Sequence, residues 1–295
     1  MNPTDLLYYL NRSDDSGLYA QADAVRRQSL GAARPVHAVI RISNVCDRAC
    51  RHCDLRSANG RLRRYRLPPS QVLGMAAQAA RDGADAVILR SGIDRRYDAP
   101  LVGELVRELK SRHGLAVTLS LGQRGFDEYV HWKECGADRC QVNLETSEPF
   151  AFKRLDQGTD FTAKLRLLEG LRELGYEIGT GVVAGLPGTT PMDSLRDLLF
   201  LAELRPAMVE IEPFVPRSGT PMDGMTPGSV DTAMRMAALL RIMLPEACIP
   251  AMESLDELRP GSGRLALERG CDAIQPAMPI PPQAEGLARE SRHVG

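Results

Sequence analysis

From His37 onward the chain alternates between two patterns. Short runs rich in β-branched and aliphatic residues give way to longer stretches whose apolar positions recur every three or four residues. The strand-type runs are 38–42, 86–89, 116–121, 139–144, 177–183, 208–214, 248–252 and 273–275. The helical stretches are roughly 70–82, 99–112, 125–134, 161–174, 191–204, 229–243 and 261–269. Pro69 and Ser70 open the first helix. Gly83, Gly114, Gly136 and Gly175 fall just past helix ends, where a left-handed capping residue is favoured. Eight strands separated by helices predict an α/β fold of parallel βαβ units wound in one direction. A doubly wound open sheet has the same order of elements, but eight regular units favour closure into a (βα)8 TIM-type barrel.

Ahead of this alternation, residues 4–30 read as amphipathic helix in two pieces, broken near 13–17, with Leu6, Leu7, Leu10, Ala20 and Ala24 as inward candidates. The expected organisation is an N-terminal helical extension, 1–34, and one barrel domain, 35–295, because no Pro/Gly/Ser-rich linker interrupts the chain. The tail after Pro276, with Pro279, Pro281 and Pro282, is irregular and is expected to close one barrel mouth. A formal net charge of −1 over 295 residues gives no basic footprint for nucleic acid. No apolar run reaches the length of a membrane span, and the first ten residues lack a signal-peptide pattern. The expectation is a soluble cytoplasmic protein.

In such barrels the chemistry sits at the C-terminal ends of the strands. The unusual sequences fall there: 44–56, 91–95, 145–148, 185–188, 216–221 and 254–257. The first contains Cys46-x3-Cys50-x2-Cys53. Seven cysteines, three of them crowded into eight residues, do not resemble a disulfide framework and point to metal in a reducing compartment. An iron–sulfur cubane normally takes four thiolates. The next cysteine is Cys135, so three ligands would leave one iron with an open position. On spacing alone, a zinc site using these cysteines with His52, or with Cys135 and Cys140, is the alternative. Cys135, Cys140, Cys248 and Cys271 lie in helix or strand patterns and read as core thiols.

A series of short motifs carries a resemblance. They are Ile42-Ser-Asn-x-Cys46, Cys53-x-Leu-Arg56, Arg64-Tyr-Arg66, Ser91-Gly92, Leu119-Ser-Leu-Gly122, Glu145-Thr146, Leu174-Gly-Tyr176, Gly185-Leu-Pro-Gly188 and Pro213-Phe-x-Pro-x-x-x-Thr-Pro221. Their order resembles the radical S-adenosylmethionine (SAM) superfamily over about residues 38–276. Within it, the chain resembles the HydE-type [FeFe]-hydrogenase maturases, with biotin synthase and 3-methylornithine synthase as more distant relatives. The resemblance implies a [4Fe–4S] cluster on Cys46, Cys50 and Cys53, whose bare iron chelates SAM and cleaves it reductively to a 5′-deoxyadenosyl radical. It implies His52 near the SAM adenine, and Ser91-Gly92 at the SAM amino group, with the family's acidic residue appearing as Ile93-Asp94. It also implies Glu145 at the ribose or methionyl part, Lys164 towards the carboxylate, Gly185 and Leu186 beneath adenine, and Met208 at the reaction centre. Each role has a plainer alternative: a tight turn at Gly185, a core position for Met208, a solvated helix position for Lys164, a helix cap at Glu145. The basic run 61–66 is expected to support the cysteine loop.

Departures from the family pattern concern the substrate. Arg90 stands where these maturases carry Gln, and Asn143-Leu144-Glu145-Thr146 where they carry Arg-His-Glu-Thr. His52-Cys53-Asp54 replaces Tyr-Cys-Gly. A positive charge thereby moves from strand four to strand two, which makes Arg90 and Asn143 candidates for substrate contact. Ser254-Leu-Asp256 resembles a Ser-Leu-Asp of 3-methylornithine synthase matched to recognition of the substrate's amino-acid or amine groups, with helix capping as the plainer alternative. The implied function is a radical SAM enzyme acting on a small amino-acid-derived substrate, in hydrogenase H-cluster maturation. An amino-acid carbon-skeleton mutase and a non-turnover iron–sulfur scaffold are the rivals. The implied partners are that substrate and a reductant such as flavodoxin or ferredoxin.

Overall fold

All eight strand-type runs become strands, in the expected order. The computed structural model describes residues 1–12, 15–155, 158 and 160–281. Strands β1 (His37–Arg41), β2 (Ala86–Arg90), β3 (Ala116–Ser120), β4 (Arg139–Gln141), β5 (Glu177–Ala184) and β6 (Met208–Pro213) form one parallel sheet in sequence order. Strands β7 (Pro250–Ala251) and β8 (Ala273–Ile274) make a separate parallel pair. Single bridges join that pair to both edges of the six: Met208 to Cys248 on one side and Val36 to Ile274 on the other. The curled sheet therefore closes as a ring. β7 and β8 are shorter than expected because Pro250 and Pro276 cannot donate to a ladder. The tail runs beside β1, where the Met278 amide donates to Val39 O at 2.8 Å. Pro282 lies outside the described residues.

Helices α3 (Pro69–Arg81), α4 (Ala99–His113), α5 (Phe126–Glu134), α7 (Phe161–Glu173), α8 (Pro191–Leu204) and α9 (Val230–Met243) connect consecutive strands, as the periodicity predicts. Gly114 ends α4 with φ of +63°, a conformation open to glycine at little cost. Two helices were not visible in the pattern, α6 (Pro149–Leu155) and α10 (Glu253–Leu258), and the stretch 261–269 becomes α11 (Ser262–Leu267). The N-terminal helices α1 (Pro3–Leu10) and α2 (Ser16–Leu30) share an apolar cluster with α8 and α9. Leu6 and Leu10 are buried as expected, but Ala20 and Ala24 are exposed, and Leu18, Tyr19 and Ala22 face inward instead. Polar pairing rotates the face: Asp23 holds Arg26 at 3.0 Å and Asp15 holds Arg235 at 2.7 Å, so charged residues occupy inward positions as ion pairs. No described helix is long and apolar enough to cross a membrane.

Candidate active site

The cysteine loop leaves the end of β1 and is pinned before it reaches α3. A bridge pairs Ser43 with Arg66, and Asn44 Oδ1 accepts the Tyr65 amide at 2.7 Å. The Arg64 guanidinium donates to three carbonyls, Asn44, Leu55 and Arg56, at 2.5, 2.8 and 2.6 Å. The basic run thus ties the loop, as the sequence suggested. Amides of Arg48 and Ile93 point at Cys46 Sγ, at 3.5 and 3.4 Å, the donors a metal-bound thiolate accepts. Cys46, Cys50 and Cys53 line one cavity of about 270 Å³ with Arg90, Ser91, Asn143, Glu145 and Lys164. Burial pushes the Cys53 thiol up to about 12, so iron must displace its proton. Cys135 and Cys140 are buried in the apolar cluster among α4, α5 and the sheet, which removes them as zinc partners.

Gly92 makes room for this loop. A Cβ there would stand 2.5 Å from both Cys46 Cβ and Val45 O. Gly92→Ala is expected to fold but to load iron poorly; iron content per chain after anaerobic reconstitution checks it, and full loading would contradict the steric account.

Above the cysteines lies a polar layer. Arg90 pairs with the fully buried Glu210, whose second oxygen accepts Asn143 Nδ2 at 3.3 Å. Gln141 Nε2 donates to Asn143 Oδ1 at 2.5 Å and to Thr180 O at 3.0 Å. Burial works against the Arg90 charge, yet Glu210 and Glu212 outweigh it and hold its pKa above the ordinary value. Glu145 follows the β4 ladder with φ of +69°, a left-handed conformation costing a non-glycine residue about 1–2 kcal/mol. It is held there by backbone bonds to β5 and by Asp197, which accepts Ser147 N and Oγ at 2.6 and 2.7 Å and Thr146 Oγ1 at 3.1 Å. His52 Nε2 lies 3.8 Å from Glu145 Oε2. Polar atoms of several lining residues have no protein partner: His52 Nδ1, Arg90 Nε, Gln123 Oε1 and Gln141 Oε1. Such atoms suit a polar ligand.

The Radical SAM superfamily pattern matches residues 40–201, more than half of the chain. The chain belongs to the radical SAM superfamily. It is an enzyme class that carries a [4Fe–4S] cluster, binds SAM, and takes a substrate and a reductant. This radical SAM chain is 39% identical over 266 residues to the [FeFe] hydrogenase maturase subunit HydE of Thermotoga maritima, covering 90% of itself and 76% of that protein. It is 26% identical over 300 residues to 3-methylornithine synthase of Methanosarcina barkeri, covering 99% of itself and 84% of the relative. The crystal structure of methylornithine synthase (PylB) matches it with a TM-score of 0.87 at 25% identity, covering 99% of this chain and 88% of that one. The three-cysteine loop, its amide donors and the glycine that admits it fit the superfamily's cluster.

Most of the radical SAM positions expected from sequence gather here: His52, Arg90, Ser91, Gly92, Asn143, Glu145 and Lys164 all line the cavities around Cys53. Lys164 is buried rather than solvated, with Nζ 3.2 Å from Asn143 O and stacked over Phe152. Ser254 lines an adjoining cavity of about 540 Å³, its buried Oγ unpartnered. The structure places the other expected residues elsewhere. Met208 opens β6 at the opposite end of the barrel from the rim; it is fully buried, with Arg139 and Gln275 at its sulfur, so it is core. Gly185 and Leu186 turn away into separate pockets: Gly185 serves the turn against Gly228, and Leu186 packs with Leu155, Phe214 and Met222. Asp94 is tied to Ser43 and Arg66 at 2.6 and 2.7 Å, bracing the cysteine loop. Asp256 is exposed and accepts the Gly263 amide of α11 at 3.1 Å, a capping role. Asp256→Ala is expected to cost about 1 kcal/mol of stability and leave SAM cleavage unchanged, which urea unfolding and 5′-deoxyadenosine assays measure.

Two residues were missed, Glu210 and Glu212. Their signal was present: paired acids, two apart, in a strand expected to be buried.

Proposed function

We propose that this enzyme acts on a small amino-acid-derived precursor in maturation of the [FeFe]-hydrogenase H-cluster. The observation that carries the reading is the likeness to the HydE maturase along nine-tenths of the chain. The chemistry of the cavity supports it. Its arginines are already matched: Arg90 with Glu210, Arg41 with Glu253 at 2.6 Å, Arg217 with Glu257 at 2.5 Å. Glu212 makes no ion pair among the described residues, and burial, then Glu210, push its carboxyl up to about 7. A surplus carboxylate beside the orphan Ser254 hydroxyl selects an ammonium-bearing molecule, which restores its charge on binding.

When bound, the cluster supplies one electron that breaks the S–C5′ bond of SAM. The protein's residues do the rest. Cys46, Cys50 and Cys53 would hold the iron and leave one coordination position open. Glu145 and His52 orient the nucleoside end, Lys164 neutralises the SAM carboxylate, and Ser91 receives the amino group. The Arg90–Glu210–Asn143 layer fixes the floor under the substrate and keeps it dry. A small acidic electron carrier of the flavodoxin or ferredoxin type serves as reductant, and the cytoplasm is the compartment that keeps its seven cysteines reduced. Of the two residues behind the mutase reading, Ser254 lines the cavity and Asp256 is engaged by the Gly263 amide.

The test is complementation. The chain is expected to restore hydrogen evolution in a [FeFe]-hydrogenase expression system lacking its HydE-type maturase. Intact SAM cleavage without restored hydrogenase would overturn the maturase reading, and turnover of an amino acid to a rearranged isomer would favour the mutase.

A further inference from the structure

A second surface feature adjoins the cysteine loop. An apolar pocket of about 200 Å³, lined by Leu186, Pro187, Met222 and Met225, is flanked by the guanidinium groups of Arg51 and Arg154. The loop is docked on α6 here, the Arg51 amide donating to Leu155 O at 2.8 Å. Phe150 stands one helical turn before Arg154 on the same helix face and is 80% exposed, while Met225 is 40% exposed. Among the described residues neither Arg51 nor Arg154 makes an ion pair. The α6 carboxylate, Glu148, is turned back to accept the Ala151 amide at 2.6 Å. Residues 46–66 hold seven arginines against two aspartates in a chain of net charge −1, so positive charge is concentrated on this loop.

We propose that this surface docks the acidic electron-carrier protein that reduces the cluster, an inference that rests on the reductant assigned above. Exposed aromatic, methionine and arginine side chains are those enriched at protein interfaces and their hot spots. A small anion would satisfy the guanidinium groups but would leave Phe150 and Met225 in water; a protein covers both. Arg51 lies between Cys50 and Cys53 in the chain, so a partner seated on it stands beside the cluster. The step balances simply: the reduced carrier loses one electron, the cluster gains it, and no bond forms. Carboxylates around the carrier's redox centre complement the arginines and steer the encounter.

The experiment compares two electron sources on the reconstituted full chain. SAM cleavage is driven by reduced flavodoxin or by dithionite, in the wild type, Phe150→Ser and Arg154→Glu. In both variants the flavodoxin-driven rate is expected to fall at least about tenfold, the loss of one hot-spot contact, while the dithionite-driven rate is unchanged. Arg154→Glu should also flatten the salt dependence of the flavodoxin arm. An unchanged flavodoxin rate, or equal losses in both arms, would overturn the docking surface. Wild-type protein that cleaves no SAM with dithionite would instead overturn the enzyme reading beneath it.

Discussion

Glu210→Ala is expected to lose about 3–5 kcal/mol of stability, because it strands the Arg90 guanidinium inside the barrel. Glu210 is 1% exposed and bonds both Arg90 and Asn143, so its removal costs two partners their acceptor at once. The loss comes less from the pair's own strength than from the uncompensated charge left behind. A control follows from that distinction. Replacing both partners, Arg90→Met with Glu210→Leu, should recover most of the stability in urea unfolding, since apolar residues of similar size need no partner. Catalysis should not recover, because the floor of the cavity is then apolar. If the double variant regains substrate turnover, the polar layer has no part in the reaction.

The second large effect concerns Asp197. Its carboxylate gathers three donors from Thr146 and Ser147, immediately after the left-handed Glu145. Asp197→Ala should cost about 2–3 kcal/mol, leaving buried donors unpaired, and should free Glu145 to relax to ordinary backbone angles. SAM affinity is expected to drop with it, measurable by calorimetry. Asp197 also has a pH signature. Burial pushes its carboxyl from 3.8 up to about 6, so the folded state binds its proton more tightly than the unfolded chain. Its contribution is therefore greatest below pH 4 and is lost as pH rises to about 6. Asp197→Asn should flatten that decline; an unaltered pH profile would assign the carboxyl an ordinary pKa.

The barrel order and the cysteine loop were legible because they depend on local signals: periodicity, glycine caps and thiol spacing. Strand length was less so. Runs 248–252 and 273–275 are apolar enough for longer strands, but prolines cut the ladder to two residues each. Within β6 the sequence led to Met208, whereas Met208, Glu210 and Glu212 alternate along one face and only the later two reach the rim end. Counting from the C-terminal end of the strand would have picked the acids. Gly185-Leu186 and Ser254-Asp256 show the limit of motif likeness. A motif says that a turn or loop is retained, but which of its side chains faces the cavity depends on what packs behind it. Gly228 closes behind Gly185, and the α11 amide captures Asp256. The N-terminal helix face was misjudged for a similar reason: buried ion pairs let Asp23 and Arg26 take inward places that a hydrophobic count gives to alanines.

The most direct test of the account is electron paramagnetic resonance of reduced, oxygen-free protein, recorded before and after SAM is added. A [4Fe–4S] signal that changes when SAM is added, and that vanishes in Cys53→Ala, is predicted from three thiolates and one bare iron. A signal indifferent to SAM, or no cubane signal at all, would contradict it.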